Sequence, residues 1–136
     1  MRQLGRIDDP DLTERCAQVL GGQLRALGFN LDFAPDCDVD SNLANPVIGD
    51  RAFGSDPRTV MRHAVAFLRG LQTGGVMACA KHFPGHGDTG SDSHHELPVL
   101  DHDRARLDRI ELPPFRAAVG AGVASVMTAH VVCKGI

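Results

Sequence analysis

Tryptophan and tyrosine are absent from this 136-residue chain, and six phenylalanines are its whole aromatic complement. There is no long run of lysine and arginine either: 14 basic residues stand against 17 acidic ones, for a net charge of -3. The footprint of a nucleic-acid binder is therefore missing. No stretch approaches 18 consecutive apolar residues, and "MRQLGRIDDPDL" at the start has no signal-peptide core, so no membrane span is expected within these residues. The four cysteines, Cys16, Cys37, Cys79 and Cys133, form no CxxC pair. That argues against a zinc knuckle or a small disulfide scaffold and favours reduced thiols in a cytoplasmic compartment.

What is present is a globular composition, 43% hydrophobic and 23% charged, at a length suited to one domain or part of one. "DDPDLTERCAQVLGGQLRALG" places Asp9 before Pro10, the order of a cap followed by the first helical residue, and spaces Leu12, Cys16, Leu20, Leu24 and Leu27 on one face. This predicts a helix ending at Gly28, with the Gly21-Gly22 pair marking a close approach to a neighbour. "SDPRTVMRHAVAFLRGLQTGG" repeats the device with Asp56 and Pro57. "LDHDRARLDRI" and "LPPFRAAVGAG" read as two further helices.

Between the helices, "FNLDFAP", "VMACAKHF" and "VASVMTAH" read as short buried strands, starting near Asn30, Val76 and Ala124. Apolar strands alternating with helices predict an α/β fold with a parallel sheet. In such folds the loops at the carboxyl ends of the strands form the binding face. Those loops begin here at Pro35-Asp36, Lys81-His82 and Thr128-Ala129-His130, so the polar residues converge on one side.

The densest of these loops is "KHFPGHGDTGSDSHHELPVL", with four of the chain's seven histidines. His82, His86, His94, His95, Asp88 and Asp92 are all metal-ligand types, but Pro84 and Gly85 break the helix that His82 and His86 would need to share a face. No recognised ligand spacing results, and no metal or other cofactor is expected. Acid-base chemistry is the second reading. In an extended segment Asp92 and His94 point the same way, so the carboxylate would hold one ring nitrogen while the other faces a substrate. The alternative is an Asp92 that caps a turn beside a solvated His94. Recognition is the third reading: Lys81, His82 and Arg51 can donate to hydroxyls or a carboxylate, while Arg51 paired with Asp50 or Asp56 would only order its loop.

Together, "LDFAPDCDVD", "NPVIGDRAFGSDP", "KHFPGHGDTGSDSHHELPVL" and "ELPPFRAAVGAGVASVMTAH" resemble the beta-N-acetylhexosaminidases of glycoside hydrolase family 3 over nearly the whole chain. The resemblance implies a TIM-like (β/α)8 barrel that removes terminal non-reducing beta-linked N-acetylglucosamine from glycans, muropeptides included, with retention of configuration. It makes His94 the acid/base, paired with Asp92, and Arg51, Lys81 and His82 binders of the sugar hydroxyls. His86 and the nearby glycines are expected to shape the loop, and Phe83-Pro84 is a candidate cis bond. Phosphorolysis in place of hydrolysis is a variant of the same chemistry.

The family's nucleophilic aspartate belongs to a motif downstream of "MTAH", and an aspartate that clamps the sugar belongs upstream of "LDFAP". Neither motif occurs here. Residues 1–136 are accordingly expected to be the middle portion of the catalytic domain, with about three of the barrel's strands, marginally stable and inactive alone. A sugar-binding module without catalysis and a metal-binding loop protein are the readings from other classes.

Overall fold

The computed structural model describes residues 1–90 and 97–134. The chain begins with a short helix, α1 (Arg2–Ile7), which sequence periodicity did not predict. It has no side-chain cap, and tertiary contacts hold it instead. Arg2 pairs with the buried carboxylate of Asp40, and Gly5 lies so close to Phe53 that a Cβ would meet its carbonyl oxygen at 1.8 Å.

The two Asp-Pro pairs do start the long helices. In α2 (Pro10–Ala26) the Asp9 carboxylate accepts a hydrogen bond from the Leu12 N–H at 3.0 Å. In α3 (Pro57–Thr73) Asp56 accepts one from Thr59 at 2.9 Å. Each cap satisfies a donor that the first turn leaves without a partner, and proline at N1 has no N–H to lose. The two helices pack tightly. A Cβ on Gly21 would lie 2.8 Å from Leu71 O, whereas Gly22 faces open space, so only the first of the glycine pair marks the close approach. His63, fully buried on α3, stacks on Phe53 and shares a 2.8 Å hydrogen bond with Thr13 of α2.

Strand β1 (Leu31–Asp32) runs parallel to β2 (Met77–Phe83), with Leu31 opposite Met77. The first strand is shorter than "FNLDFAP" suggests, because Pro35 has no N–H to give the ladder. Pairing nevertheless continues through Cys79 N to Ala34 O, Lys81 N to Pro35 O and a parallel bridge between Asp36 and Lys81. Val99 and Leu100, read from sequence as the end of the long loop, form a short strand, β3 (Val99–Leu100). The two predicted helices follow as α4 (Arg104–Arg109) and α5 (Leu112–Gly120).

After them, β4 (Ser125–Thr128) joins β2 on its other side, also in parallel. A final strand, β5 (Val132–Cys133), pairs with β3. This second, two-stranded sheet was not predicted, since strands of two residues carry no readable alternation. The main sheet has the order β1-β2-β4. Helical crossovers between parallel strands in sequence order make it a partial (β/α)8 barrel. Val60, Phe67, Leu68 and Leu71 of α3 and Phe115 and Ala118 of α5 bury themselves with Ala78 and Ala80 of the central strand. The sheet edges are β1 and β4, and Val126 on β4 is 42% exposed. Val126, Phe83, Leu112 and Phe115 line an apolar groove of about 520 Å³.

Candidate active site

The parallel register brings Asp36, Asp38, Lys81 and His82 to one end of the sheet, since Asp36 bridges Lys81 directly. The peptide bonds Ala34–Pro35, Lys81–His82 and Phe83–Pro84 are cis, the last as expected from sequence. Asp38 is completely buried and organises the residues around it. Its Oδ1 accepts the backbone N–H of His86 at 2.6 Å and of His82 at 3.3 Å. Its Oδ2 stands 2.7 Å from His82 Nδ1, so one carboxylate sets both the backbone and the ring of His82.

Asp36 is the second acid of this cluster, 3% exposed, with Oδ2 at 3.9 Å from His82 Nδ1. Among the described residues that oxygen has no hydrogen-bond partner. Burial, and then the neighbouring Asp38 charge, push the Asp36 carboxyl well above the usual carboxylate range. Burial also lifts Asp38, to about 6, against the pull of the His86 N–H and other donors. The pair thus shares a proton more readily than two exposed acids would. The Cys37 thiol between them is raised by burial too, which makes it an inert core side chain.

Arg51 reaches the same end from the long loop after β1. It lines a cavity of about 360 Å³ together with Lys81, Asp36, Asp50 and Phe33. Its guanidinium donates to Val47 O, at 2.9 Å from Nη2, and pairs with neither Asp50 nor Asp56 among the described residues. The ordering role comes from Asn45 instead. Asn45 Oδ1 accepts from the N–H groups of Val47 and Ile48, and its Nδ2 donates to His86 O at 2.8 Å and Thr89 Oγ1 at 3.2 Å. One buried amide therefore locks the Arg51 loop onto the His86 loop. His86, itself buried, shares a 2.7 Å hydrogen bond with Thr89, and a Cβ on Gly87 would fall 1.8 Å from Val39 O. These residues shape the loop, as the sequence suggested.

Of the residues expected to bind sugar, Arg51 and Lys81 line one cavity, and His82 is fastened beside them by Asp38. Asp92 and His94, the expected acid/base pair, lie outside the described residues, as does His95. Sequence reasoning assigned no role to Asp36, Asp38 or Asn45. The alternation of three acids in "APDCDVD" directly after a strand was the available signal, because buried positions do not ordinarily carry carboxylates.

Among the described residues, Asp36, Asp38 and His82 also form the one group able to offer three ligand atoms to an ion, all within 4.8 Å of one another. The fit is poor. Two ligands of a tetrahedral zinc ion bonded at about 2.0–2.1 Å stand about 3.3 Å apart, whereas His82 Nδ1 and Asp38 Oδ2 are separated by 2.7 Å. Asp38 already accepts two N–H groups on its other oxygen. The geometry is that of a histidine held by a carboxylate.

Partial-barrel topology with cationic and imidazole side chains at the strand ends places the chain in the class of (β/α)-barrel proteins with a polar binding face. More narrowly, it belongs to glycosyl hydrolase family 3: the model of that family's N-terminal domain matches residues 1–136. A beta-hexosaminidase from Thiobacillus denitrificans is 43% identical over 138 residues, which cover 97% of this chain and 38% of that protein. Among solved structures, a glycoside hydrolase family 3 beta-N-acetylglucosaminidase from Paenibacillus sp. str. FPU-7 superposes with a TM-score of 0.98 at 50% identity, covering 99% of this chain and 26% of that one. NagZ from Neisseria gonorrhoeae, in complex with N-trifluoroacetyl-D-glucosamine, gives 0.91 at 39% identity, covering 98% and 41%. The chain thus spans about two fifths or less of the length of these relatives.

Proposed function

We propose that the protein carrying this chain hydrolyses terminal non-reducing beta-linked N-acetylglucosamine from glycans, muropeptides among them, with retention of configuration. The supporting observation is the convergence of Arg51, from the loop after β1, and Lys81, from β2, on one cavity, with His82 held beside it. Long cationic donors and a fixed imidazole suit a ring of hydroxyls, which needs directed hydrogen bonds more than apolar area. The names of the relatives support the same substrate class.

In this reading residues 1–136 are the middle portion of the catalytic domain. Asp92 orients His94, which as imidazolium protonates the departing glycosidic oxygen and as neutral imidazole then activates the incoming water. An aspartate nucleophile completes the reaction, and none of the 136 residues is assigned that role. The reaction needs no cofactor and involves neither nucleic acid nor a membrane surface. No helix among the described residues is long and apolar enough to cross a membrane. The four free cysteines support a cytoplasmic location.

The test is leaving-group dependence in the complete protein. His94→Ala should lower kcat/KM by about 10²–10⁴-fold for a glycan, and far less for an activated aryl N-acetylglucosaminide, which needs no protonation. Equal losses on both substrates remove His94 from the acid role.

A further inference from the structure

Asp36 and Asp38 follow β1 and meet the end of β2, where both approach the ring of His82. Asp36 is fixed there by its parallel bridge to Lys81, and Asp38 by the N–H groups of His82 and His86. Asp36 Oδ1 accepts the Asp38 N–H at 3.0 Å, which ties the two acids together. His82 Nδ1 stands 2.7 Å from Asp38 Oδ2 and 3.9 Å from Asp36 Oδ2. Both acids are buried, at 3% exposure for Asp36 and 0% for Asp38, while the His82 side chain is 17% exposed.

Nδ1–H can serve only one of the two carboxyls. Asp38 Oδ2 has the near approach, and Asp36 Oδ2 has no donor among the described residues. The group in hydrogen-bonding contact with the Asp36 side chain is the Asp38 carboxyl, itself an acceptor. Two carboxyls make such a contact only with a proton between them, and two bare charges buried side by side repel. One shared proton therefore removes both the repulsion and the missing donor. The other titratable groups around the pair, among the described residues, are Cys37 between the two acids, Lys81 on β2, Arg51 and Asp50 on the loop after β1, and His86, whose ring lies 6.2 Å from that of His82.

We infer that Asp36 is a positioning residue for sugar recognition: in contact with Asp38 it keeps a proton within the buried acid pair, so that His82 stays a neutral ring held by Asp38 and not an imidazolium. The inference rests on the proposed sugar-binding role of His82, and Asp36 acts through that ring. A neutral ring offers one donor and one acceptor, whereas an imidazolium offers two donors, so the state of the pair decides which hydrogen bonds His82 can make. With one proton, the pair carries a single negative charge, and Nδ1–H donates to Asp38. With none, a second negative charge faces the ring and draws a proton onto it. With two, Asp38 has no charge left to hold the ring. Burial delays both losses: the first proton leaves at a pH of about 6, the value to which Asp38 is lifted, and the second above it.

The experiment measures the inhibition constant of free N-acetylglucosamine, a ligand with no titrating group of its own, between about pH 5 and about pH 9 in the complete protein. The parent should bind most tightly above about pH 6 and lose its hold on either side, by up to about tenfold per pH unit where one proton is involved. In Asp36→Asn the side-chain amide is a permanent donor to Asp38, so the acid limb should remain and the alkaline limb disappear, with binding about tenfold tighter than the parent's at about pH 9. All other titratable groups are common to the two proteins, so the difference between the profiles belongs to the pair. An alkaline limb in Asp36→Asn as steep as the parent's, or a parent with no alkaline limb, overturns the inference. Nitrogen-15 spectra of the histidine-labelled parent, assigned against His82→Gln, give a reading that needs no Asp36 variant. At about pH 7.5 His82 should be a neutral ring with its proton on Nδ1, and an imidazolium there overturns the inference as well. Arg51→Ala separates the two levels. If it leaves the hold on N-acetylglucosamine unchanged, the proposed sugar site fails and this inference with it; if it weakens that hold and Asp36→Asn follows the parent at every pH, only this inference fails.

Discussion

Asp38 Oδ2 lies 2.7 Å from His82 Nδ1, and Asp38 is wholly buried beneath the strand end that carries Lys81 and His82. The contact joins residues 44 positions apart, and no local rule predicts it. Asp38 does two jobs at once. Oδ1 closes the backbone of His82 and His86, and Oδ2 sets the imidazole.

The two jobs are separable by mutation. Asp38→Asn keeps an oxygen for the N–H groups but removes the charge beside the ring, so KM for the sugar substrate should rise by about tenfold, equivalent to 1.4 kcal/mol, with the fold retained. Asp38→Ala leaves two buried N–H groups without an acceptor, at about 1–3 kcal/mol each, and should lower the melting temperature sharply. Steady-state kinetics and thermal melts check both. An unchanged KM in the Asn variant would detach His82 orientation from sugar binding.

Stability should depend on pH through the same pair. The folded-state value of Asp38, about 6, is above its ordinary 3.8, and Asp36 is raised as well. The native state therefore binds more protons than the unfolded chain between those limits. The stabilising contribution is complete below about pH 4 and is lost as pH rises through 6. From pH 5 to pH 8 this costs on the order of 1 kcal/mol for Asp38. Asp8 and Asp108, whose values are lowered, titrate below this window. Asp36→Asn, which removes one of the two buried acids, should raise the denaturation midpoint at pH 8 and flatten its fall between pH 5 and 8. Urea melts at both pH values measure it, and a midpoint that rises from pH 5 to 8 in the parent would contradict the sign.

Adjacent glycines on α2 should respond to alanine in opposite directions. Gly22 faces open space, so Gly22→Ala should stabilise by about 0.5–1 kcal/mol through helix propensity alone. Gly21 meets Leu71 O at 2.8 Å from an ideal Cβ, so Gly21→Ala must push two helices apart and should destabilise by about 1–3 kcal/mol. Chemical denaturation of the two single variants decides it.

The 136 residues expressed alone should show no hydrolysis of an aryl N-acetylglucosaminide, because no nucleophile is assigned within them. Val126 and the apolar groove beside β4 should bind a hydrophobic reporter dye. Turnover by this chain alone would place the nucleophile inside residues 1–136.

The helices were legible because their signals are local. Asp9-Pro10 and Asp56-Pro57 each place a cap and a first-turn residue within four positions of the donors they satisfy, and apolar spacing then follows the helix period. α1 was not legible, since a six-residue helix without a cap depends on Phe53 and Asp40. The short β3 and β5 strands exist only through each other. At the site, Lys81, His82 and Arg51 stood out by type and motif. Asn45 did not, because an asparagine in a polar loop is ordinary until its amide is found bridging two loops.

By itself, the sequence determined the two long helices, the succession of parallel strands and the side of the sheet on which the polar residues collect. Those follow from capping, periodicity and strand direction, all of which act over a few residues. Only the tertiary structure decided that Asp38 would hold His82 and that Arg51 and Lys81 would line one cavity. These contacts depend on strand register and loop packing, where a shift of one residue moves every side chain to the opposite face.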